Sequence, residues 1–308
     1  MATVYRVLCG VVLALCVGAG PAIGAGHTLL VVSDGSPAYQ QTVARIRQRL
    51  STAQPALQVE VSTLDAADDA RINAAEIVVT IGTQAALNVV KHHRGTRLIC
   101  ALLTQQTYQR LPPPPPGAQR SAVFLDQPPR RQLALIETAL PHLTRVAIVH
   151  SASSRDHVDQ IVDAARSSAL SLEVAEVADA HPLYEALRTT LNQPAVLLAI
   201  PDTTVFNNFT IQNVLLTAYR KRAPVVGFSP AYVRAGAVMA VYSTPDQVGD
   251  QVAGVILAAA AGEDLPPPAY PRDFLVSTNP HVARSMSIEL PPPTALAAAL
   301  KQREGAPR

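Results

Sequence analysis

Residues 27–50 read HTLLVVSDGSPAYQQTVARIRQRL, and this segment indicates the class of the fold. Residues 28–32 are mostly apolar and rich in β-formers, as in a buried strand. Ser36 and Pro37 then match the N-cap and first-turn positions of a helix. Apolar residues recur at helical spacing beyond that point, at Tyr39, Val43, Ile46 and Leu50. A buried strand followed by an amphipathic helix predicts a βα unit in a parallel sheet.

The same alternation continues to about residue 125 and predicts one Rossmann-like lobe over 26–125. Further strands are predicted over 57–61, 77–81, 97–103 and 122–125. Thr83 is expected to cap a helix that extends to about Lys91. Five consecutive prolines, 112–116, predict an extended surface loop because proline cannot donate a hydrogen bond to a sheet or helix.

A second βα series predicts a second lobe over 126–272, with strands over 146–149, 172–177, 196–200, 225–228 and 238–242. One helix ends on three cations, Arg220, Lys221 and Arg222, which the helix dipole favours and which we expect to be solvated. Thr244 and Gln247 predict a capping box at the start of another helix. Residues 273–308 are expected to supply a late strand over 274–277, which could cross back between the lobes, and a C-terminal tail.

Residues 1–25 are typical of a cleaved secretory signal peptide. Arg6 is their only charge, an apolar run covers 7–17, and small residues fill 18–25. The apolar run is about half of the roughly 20 residues that a membrane-spanning helix needs. Cleavage would leave Cys100 without a disulfide partner, and we expect a periplasmic protein. Lipidation of Cys16 is the minor alternative, because Leu15 precedes it where a small residue is required.

Composition excludes several classes of protein. The 308 residues are 48% hydrophobic and 16% charged, which rules out disorder of the whole chain. Lysine and arginine number 25 against 23 acidic residues, so the formal charge is +2 without a clustered basic surplus. Nucleic acid is therefore not an expected partner. Aromatic residues make up only 4%, so a ligand pocket would have few stacking groups.

The sequence lacks the catalytic motifs that would indicate an enzyme. It has no GxGxxG after the first strand, no GxxxxGK[ST], no HExxH and no GxSxG. His92 and His93 lack a third ligand at metal spacing, so we expect a surface pair. Cys100 lies among aliphatic residues and is expected to be a core thiol. We predict no enzymatic activity, no cofactor and no bound metal.

Small polar residues follow the ends of most predicted strands, where open α/β sheets bind their ligands. If the lobes face each other, these residues line one cleft, with helix N-termini suited to an anion and Asp202 suited to an ammonium group. Each is also an ordinary N-cap residue, so the interpretation depends on their convergence. Tyr39, Phe206 and Tyr232 could stack on a ligand, but core packing explains them equally well. The candidate ligand-binding residues are Ser33, Asp34, Ser36, Thr83, Gln84, Thr104, Ser151, Asp202, Thr203 and Ser229.

Five ordered segments carry a family pattern: PDTTV (201–205), TAYR (217–220), PVVGFS (224–229), VRAGA (233–237) and YSTP (242–245). With this pattern the chain resembles the ABC-transporter substrate-binding proteins related to the tryptophan-binding TrpX group. The resemblance is firm over about 195–262, and IGTQAA (81–86) extends it more weakly to the first half. It implies a type I periplasmic-binding-protein fold, in which two Rossmann-like lobes with parallel sheets close on a ligand. It assigns Thr83, Gln84, Asp202 and Ser229 to ligand loops, with Asp202 in the loop that meets an amino group.

Together these observations predict the periplasmic solute-binding component of an ABC importer. We expect a monomer that binds an amino acid or a similar small polar ligand and meets an ABC permease in the inner membrane. A non-transport sensor or interaction module with the same fold is the alternative. A secreted α/β enzyme is a weaker one.

Overall fold

The computed structural model describes residues 26–95, 97–178 and 183–305, so the predicted signal peptide lies outside the described residues. Within these ranges the chain forms two sheets of five and six strands, with helices packed against them. The prediction of a two-lobed α/β protein is confirmed. None of the helices in these ranges is both long and apolar enough to cross a membrane.

The first sheet is wholly parallel and has the order β2-β1-β3-β4-β5. Its strands are β1 (His27–Val32), β2 (Gln58–Thr63), β3 (Ile77–Ile81), β4 (Arg97–Ala101) and β5 (Gln119–Val123). Four helices connect them: α1 (Pro37–Ala53), α2 (Asp69–Ala74), α3 (Thr83–His92) and α4 (Gln105–Gln109). The central strands are buried on both faces, which is why β1 and β3 are continuous apolar runs in the sequence.

The second sheet has the order β11-β10-β9-β8-β6-β7. Its strands are β6 (Arg145–Ser151), β7 (Ser171–Val177), β8 (Val196–Leu198), β9 (Val225–Gly227), β10 (Met239–Tyr242) and β11 (Leu275–Thr278). The helices of this half are α5 (Pro129–Ala139), α6 (Arg155–Ala165), α7 (Leu183–Thr190), α8 (Ile211–Arg220), α9 (Pro230–Ala235), α10 (Pro245–Ala260), α11 (Pro280–Ser285) and α12 (Pro293–Gly305). We predicted a parallel sheet, but β11 is antiparallel to β10, because the chain returns from the first lobe before it enters this sheet.

Helix α10 corrects the predicted division of the chain. The expected capping box forms, since Thr244 Oγ1 accepts the backbone N–H of Gln247 at 3.2 Å and the glutamine side chain bonds back. However, the apolar face of α10 packs into the core of the first lobe rather than the second, with Val248 and Val252 fully buried beside α1. Arg45 of α1 also pairs with Asp250 at 2.8 Å. Helical periodicity identifies an apolar face but does not say which core it meets.

As a result, the chain passes between the lobes three times. The crossings are residues 124–128, residues 243–244 and residues 270–274. A few residues that connect two lobes are the usual place of hinge motion between them.

Candidate functional site

The two lobes touch through loops at the carboxyl ends of their strands. In the first lobe, Gln106 lies on α4 and Arg110 directly follows that helix. Gln106 Nε2 and Arg110 Nη2 both donate to the carbonyl oxygen of Ser153, in the turn after β6 of the second lobe, and the arginine bond is 3.1 Å long. These bonds join a polar loop edge of the first lobe to one of the second.

In the first lobe, Ser33 and Gly82 build the start of α3. The hydroxyl oxygen of Ser33 accepts the backbone N–H of Ala85 at 2.9 Å, which is the bond that an N-cap side chain normally supplies. Gly82 is the N-cap with a φ of 93°, and an added Cβ would lie 2.6 Å from Ser33 Oγ and from the ring of Tyr39. We expected Thr83 to cap this helix, but it is the first helical residue because Ser33 and Gly82 fill that role.

The remaining first-lobe candidates differ in whether their side chains make hydrogen bonds within the lobe. Asp34 is exposed and accepts the backbone N–H of Ser36 at 2.8 Å through one oxygen. The hydroxyl of Ser36 makes no capping bond to α1, and Gln84 is exposed in the first turn of α3. Thr104 instead caps α4 by accepting the backbone N–H of Thr107 at 3.1 Å. Asp34, Ser36 and Gln84 therefore keep polar atoms that can meet a ligand.

In the second lobe, Asp202 joins the loops after β6 and β8. One carboxylate oxygen accepts the backbone N–H and the hydroxyl of Ser151 at 2.7 and 2.8 Å. The other accepts the backbone N–H groups of Thr204 and Val205 at 2.9 and 3.0 Å. Burial by itself raises the pKa of Asp202, but the hydrogen bonds from Ser151 and Val205 outweigh it and hold the pKa below its ordinary value.

In this arrangement the loops themselves occupy the Asp202 carboxylate that was expected to meet a ligand ammonium group. Asp202 is only 2% exposed, and its four hydrogen bonds use about as many lone-pair sites as a carboxylate offers. Ser151 is buried in the same bonds, and its hydroxyl also contacts that of Ser153 at 2.8 Å. Both residues organise the loops that border the cleft.

Thr203 and Ser229 border the same edge and remain accessible. Thr203 is exposed, and Ser229 precedes α9 without making a side-chain capping bond. The neighbouring aromatic residues pack on each other: Tyr232 lies 4.4 Å from Phe228 and 6.3 Å from Phe206 between ring centroids. The hydroxyl of Tyr232 donates to the carbonyl of Phe206 at 3.2 Å, so this cluster supports the edge.

The sequence analysis missed a polar network that ties the three crossings together. Gln127 Nε2 donates to Ser243 Oγ at 2.9 Å, and that hydroxyl donates to the carbonyl of Asp273 at 2.6 Å. Arg131 donates to Gln127 Oε1 at 2.7 Å, and its guanidinium lies 4.1 Å from the ring centroid of Phe274. Gln127 and Ser243 lie 116 positions apart in the chain, and Ser243 and Asp273 lie 30 apart, so no local pattern could have identified this network.

The described residues hold no group of three His, Cys, Asp or Glu side chains arranged to bind a metal ion. The expected surface pair of histidines is half wrong: His92 contacts Asp69 at 2.9 Å, but His93 is 3% exposed, and burial lowers its pKa. Cys100 is a buried core thiol, as predicted, and burial raises its pKa to about 11. Such a thiol is a poor nucleophile at neutral pH.

Comparison with known proteins gives a consistent result. The family model described as ABC transporter substrate binding protein matches residues 46–292, whereas a search of curated proteins found no match. A domain from Streptococcus pneumonia in complex with L-Trp is 15% identical, covers 88% of this chain and 98% of its own, and has a TM-score of 0.61.

Two further solved structures extend the comparison. A ligand-free, open substrate-binding protein with adhesive properties from Clostridium difficile is 13% identical, with coverages of 86% and 96% and a TM-score of 0.68. A solute-binding protein from Bacillus halodurans with bound myo-inositol is 15% identical, with coverages of 87% and 99% and a TM-score of 0.50. At these identities the likeness shows a common fold, that of periplasmic binding proteins.

Proposed function

Because the chain belongs to the ABC transporter substrate-binding protein family, we propose that it is the extracytoplasmic solute-binding subunit of an ABC importer. Its ligand is an amino acid or a similar small polar molecule held between the two lobes. The observation that carries this proposal is the meeting of the lobe edges at Gln106, Arg110 and Ser153, next to the segments that connect the two lobes. Two lobes joined in this way can close around a solute.

Several polar side chains at these edges keep hydrogen-bonding capacity that the fold does not occupy, and their chemistry favours a zwitterionic ligand. Asp34 is an exposed carboxylate next to Tyr39, whose pKa is raised by burial and by the charge of Asp34. The Asp34 carboxylate can accept hydrogen bonds from a ligand ammonium group. The hydroxyls of Ser36 and Ser229 precede helices and can donate to a ligand carboxylate, and the 17-residue helix α1 adds its dipole at Ser36. Thr83, Gln84 and Thr203 complete the proposed ligand-facing set.

A thermal-shift screen of amino acids, sugars, inositols and nucleosides tests this proposal. A ligand at about 100 times its Kd adds about 2.7 kcal/mol to the free energy of unfolding and raises the Tm. We expect amino acids to produce the largest shifts. The variants D34N and S36A should lose most of the response, whereas R47A, on the exposed face of α1, should keep it. Flat curves across the panel, or a full response in D34N, would contradict the proposed site.

The remaining parts of the proposal follow from the same role. The chain is exported to the periplasm by residues 1–25, acts as a monomer and delivers its solute to a permease of the inner membrane. Uptake of the solute in a strain that lacks the gene, with and without the chain restored, tests transport against a role in sensing. A sensor would bind the same solute without changing its uptake.

A further inference from the structure

Exposed apolar side chains concentrate on one side of the second lobe. Of the nine large apolar residues exposed in the described part of the chain, four belong to α7, α8 or the loop before α8. They are Tyr184, Phe209, Leu216 and Tyr219. Three of the four line one open groove of about 430 Å³ between the two helices, and Tyr219 lies one turn beyond Leu216. We call these four residues the α7–α8 surface; a cluster of this kind marks an interaction site more often than chance scatter does.

Phe209 is the most exposed of them, at 93%, and several hydrogen bonds hold the backbone of its loop. The backbone N–H of Phe209 donates to Asn207 Oδ1 at 2.9 Å, and the amide group of Asn207 donates to the carbonyls of Thr203 and Thr204. Thr210 adds a bond from its hydroxyl to the carbonyl of Val205 at 2.7 Å. These bonds fix the backbone of the turn that holds Phe209 out in water.

Free positive charge borders the same surface. Arg220 lines the groove with Tyr184 and Phe209, and the exposed Lys221 follows it. Neither cation makes a salt bridge to any residue within the described ranges. The one acidic residue next to Tyr184, Glu185, already pairs with Arg188 at 2.9 Å. The charge available to a partner at this surface is therefore positive.

From this combination we propose that the α7–α8 surface binds an anionic lipid bilayer. Tyrosine is enriched where proteins meet the headgroup region, because its ring is apolar and its tip is polar. Phenylalanine is common on the apolar faces that enter the acyl boundary. Phe209 would insert its ring among the acyl chains, and Arg220 and Lys221 would face the anionic headgroups. A bilayer needs no matching pocket, which suits a protruding ring on a hydrogen-bonded turn. This role is independent of the solute that the cleft takes.

Sedimentation with vesicles tests the proposal on the purified protein. Vesicles of phosphatidylglycerol and phosphatidylethanolamine should bind it, vesicles of phosphatidylcholine should bind it several-fold less, and added salt should weaken binding. F209A, and separately the double variant R220E/K221E, should lower the partition coefficient by about tenfold. L87A and R47E alter an exposed apolar residue and an exposed cation of the first lobe, and they should leave it unchanged.

The Tm of each variant, measured beside the sedimentation, keeps a folding defect from being mistaken for lost binding. Absence of binding to phosphatidylglycerol vesicles would overturn the proposal, as would equal losses in the first-lobe controls or equal binding to phosphatidylcholine. A photo-crosslinker at position 209 that labels a protein in cells while vesicles leave the purified chain unbound would assign the surface to a protein partner instead.

Discussion

Asp202 is a buried carboxylate with four hydrogen bonds, so its replacement by asparagine tests whether it organises the site. An asparagine offers one acceptor oxygen, and some of the backbone N–H groups of Ser151, Thr204 and Val205 would lose their acceptor. Buried unsatisfied donors cost about 1–3 kcal/mol each. We expect D202N to lower the free energy of unfolding by at least that amount in urea denaturation. D34N, at an exposed carboxylate, is the control; equal stability of D202N and the parent would contradict the assignment.

Asp126, at the first crossing, carries a pH-dependent contribution to stability. It is 6% exposed, and burial raises its pKa from 3.8 to about 6, although the backbone N–H of Gln105 donates to it at 2.5 Å. The folded state thus holds this proton more tightly than the unfolded chain. The contribution is full below about pH 4 and is lost as pH rises through about 6.

D126N should remove that dependence, because asparagine can accept the same hydrogen bond without carrying a charge. Relative to the parent, D126N should gain stability between pH 4 and pH 6, by an amount on the order of 1–3 kcal/mol. Urea denaturation of both proteins at several pH values measures the difference. A constant difference across this range would mean that Asp126 keeps an ordinary pKa.

At the scale of elements, the strand-to-helix turn at Gly82 has no room for a side chain. Its φ of 93° disfavours other residues, and an added Cβ would meet Ser33 Oγ and the ring of Tyr39 at 2.6 Å. We expect G82A to destabilise the protein by about 1–3 kcal/mol or more. G254A should change the free energy of unfolding in the opposite direction. Gly254 lies within α10 with open space around it, so alanine should stabilise the protein by about 0.5–1 kcal/mol. Thermal unfolding of both variants measures these changes, and a neutral G82A would contradict the crowded turn.

The type of each element was largely predictable, and its length less so. The strand β3, Ile77–Ile81, matches its prediction residue for residue, because a buried parallel strand is a continuous β-branched run bounded by glycine. The short helices α2, α4, α9 and α11 were missed, since five or six residues show no full helical period. The predicted tail contains α12, whose Leu296 and Leu300 pack into the second core. Its alanine-rich sequence has a weak apolar stripe, so only tertiary packing reveals it.

At the scale of the whole molecule, the bonds across the cleft should influence how far the lobes stay closed. Q106A and R110A remove the two donors to the Ser153 carbonyl, which water can replace in an open form. We expect the double variant to have a larger radius of gyration by small-angle X-ray scattering and faster ligand dissociation, because the closed state loses stability relative to the open one. Its Tm should change little, since both side chains lie at the surface. R47A is the control, and an unchanged radius with unchanged dissociation would contradict a closing role.

Local chemistry in the sequence determined most strands and most of the longer helices, the capping box at Thr244, the burial of Cys100 and the membership of a solute-binding family. The tertiary structure alone decided that α10 belongs to the first core and that Gln106 and Arg110 donate to Ser153. It also decided that the Asp202 carboxylate accepts hydrogen bonds from the loops after β6 and β8. The physical reason is range: propensity and periodicity act over a few residues and identify an apolar face or a polar loop end. The partner of each depends on contacts between segments separated by up to about 200 residues.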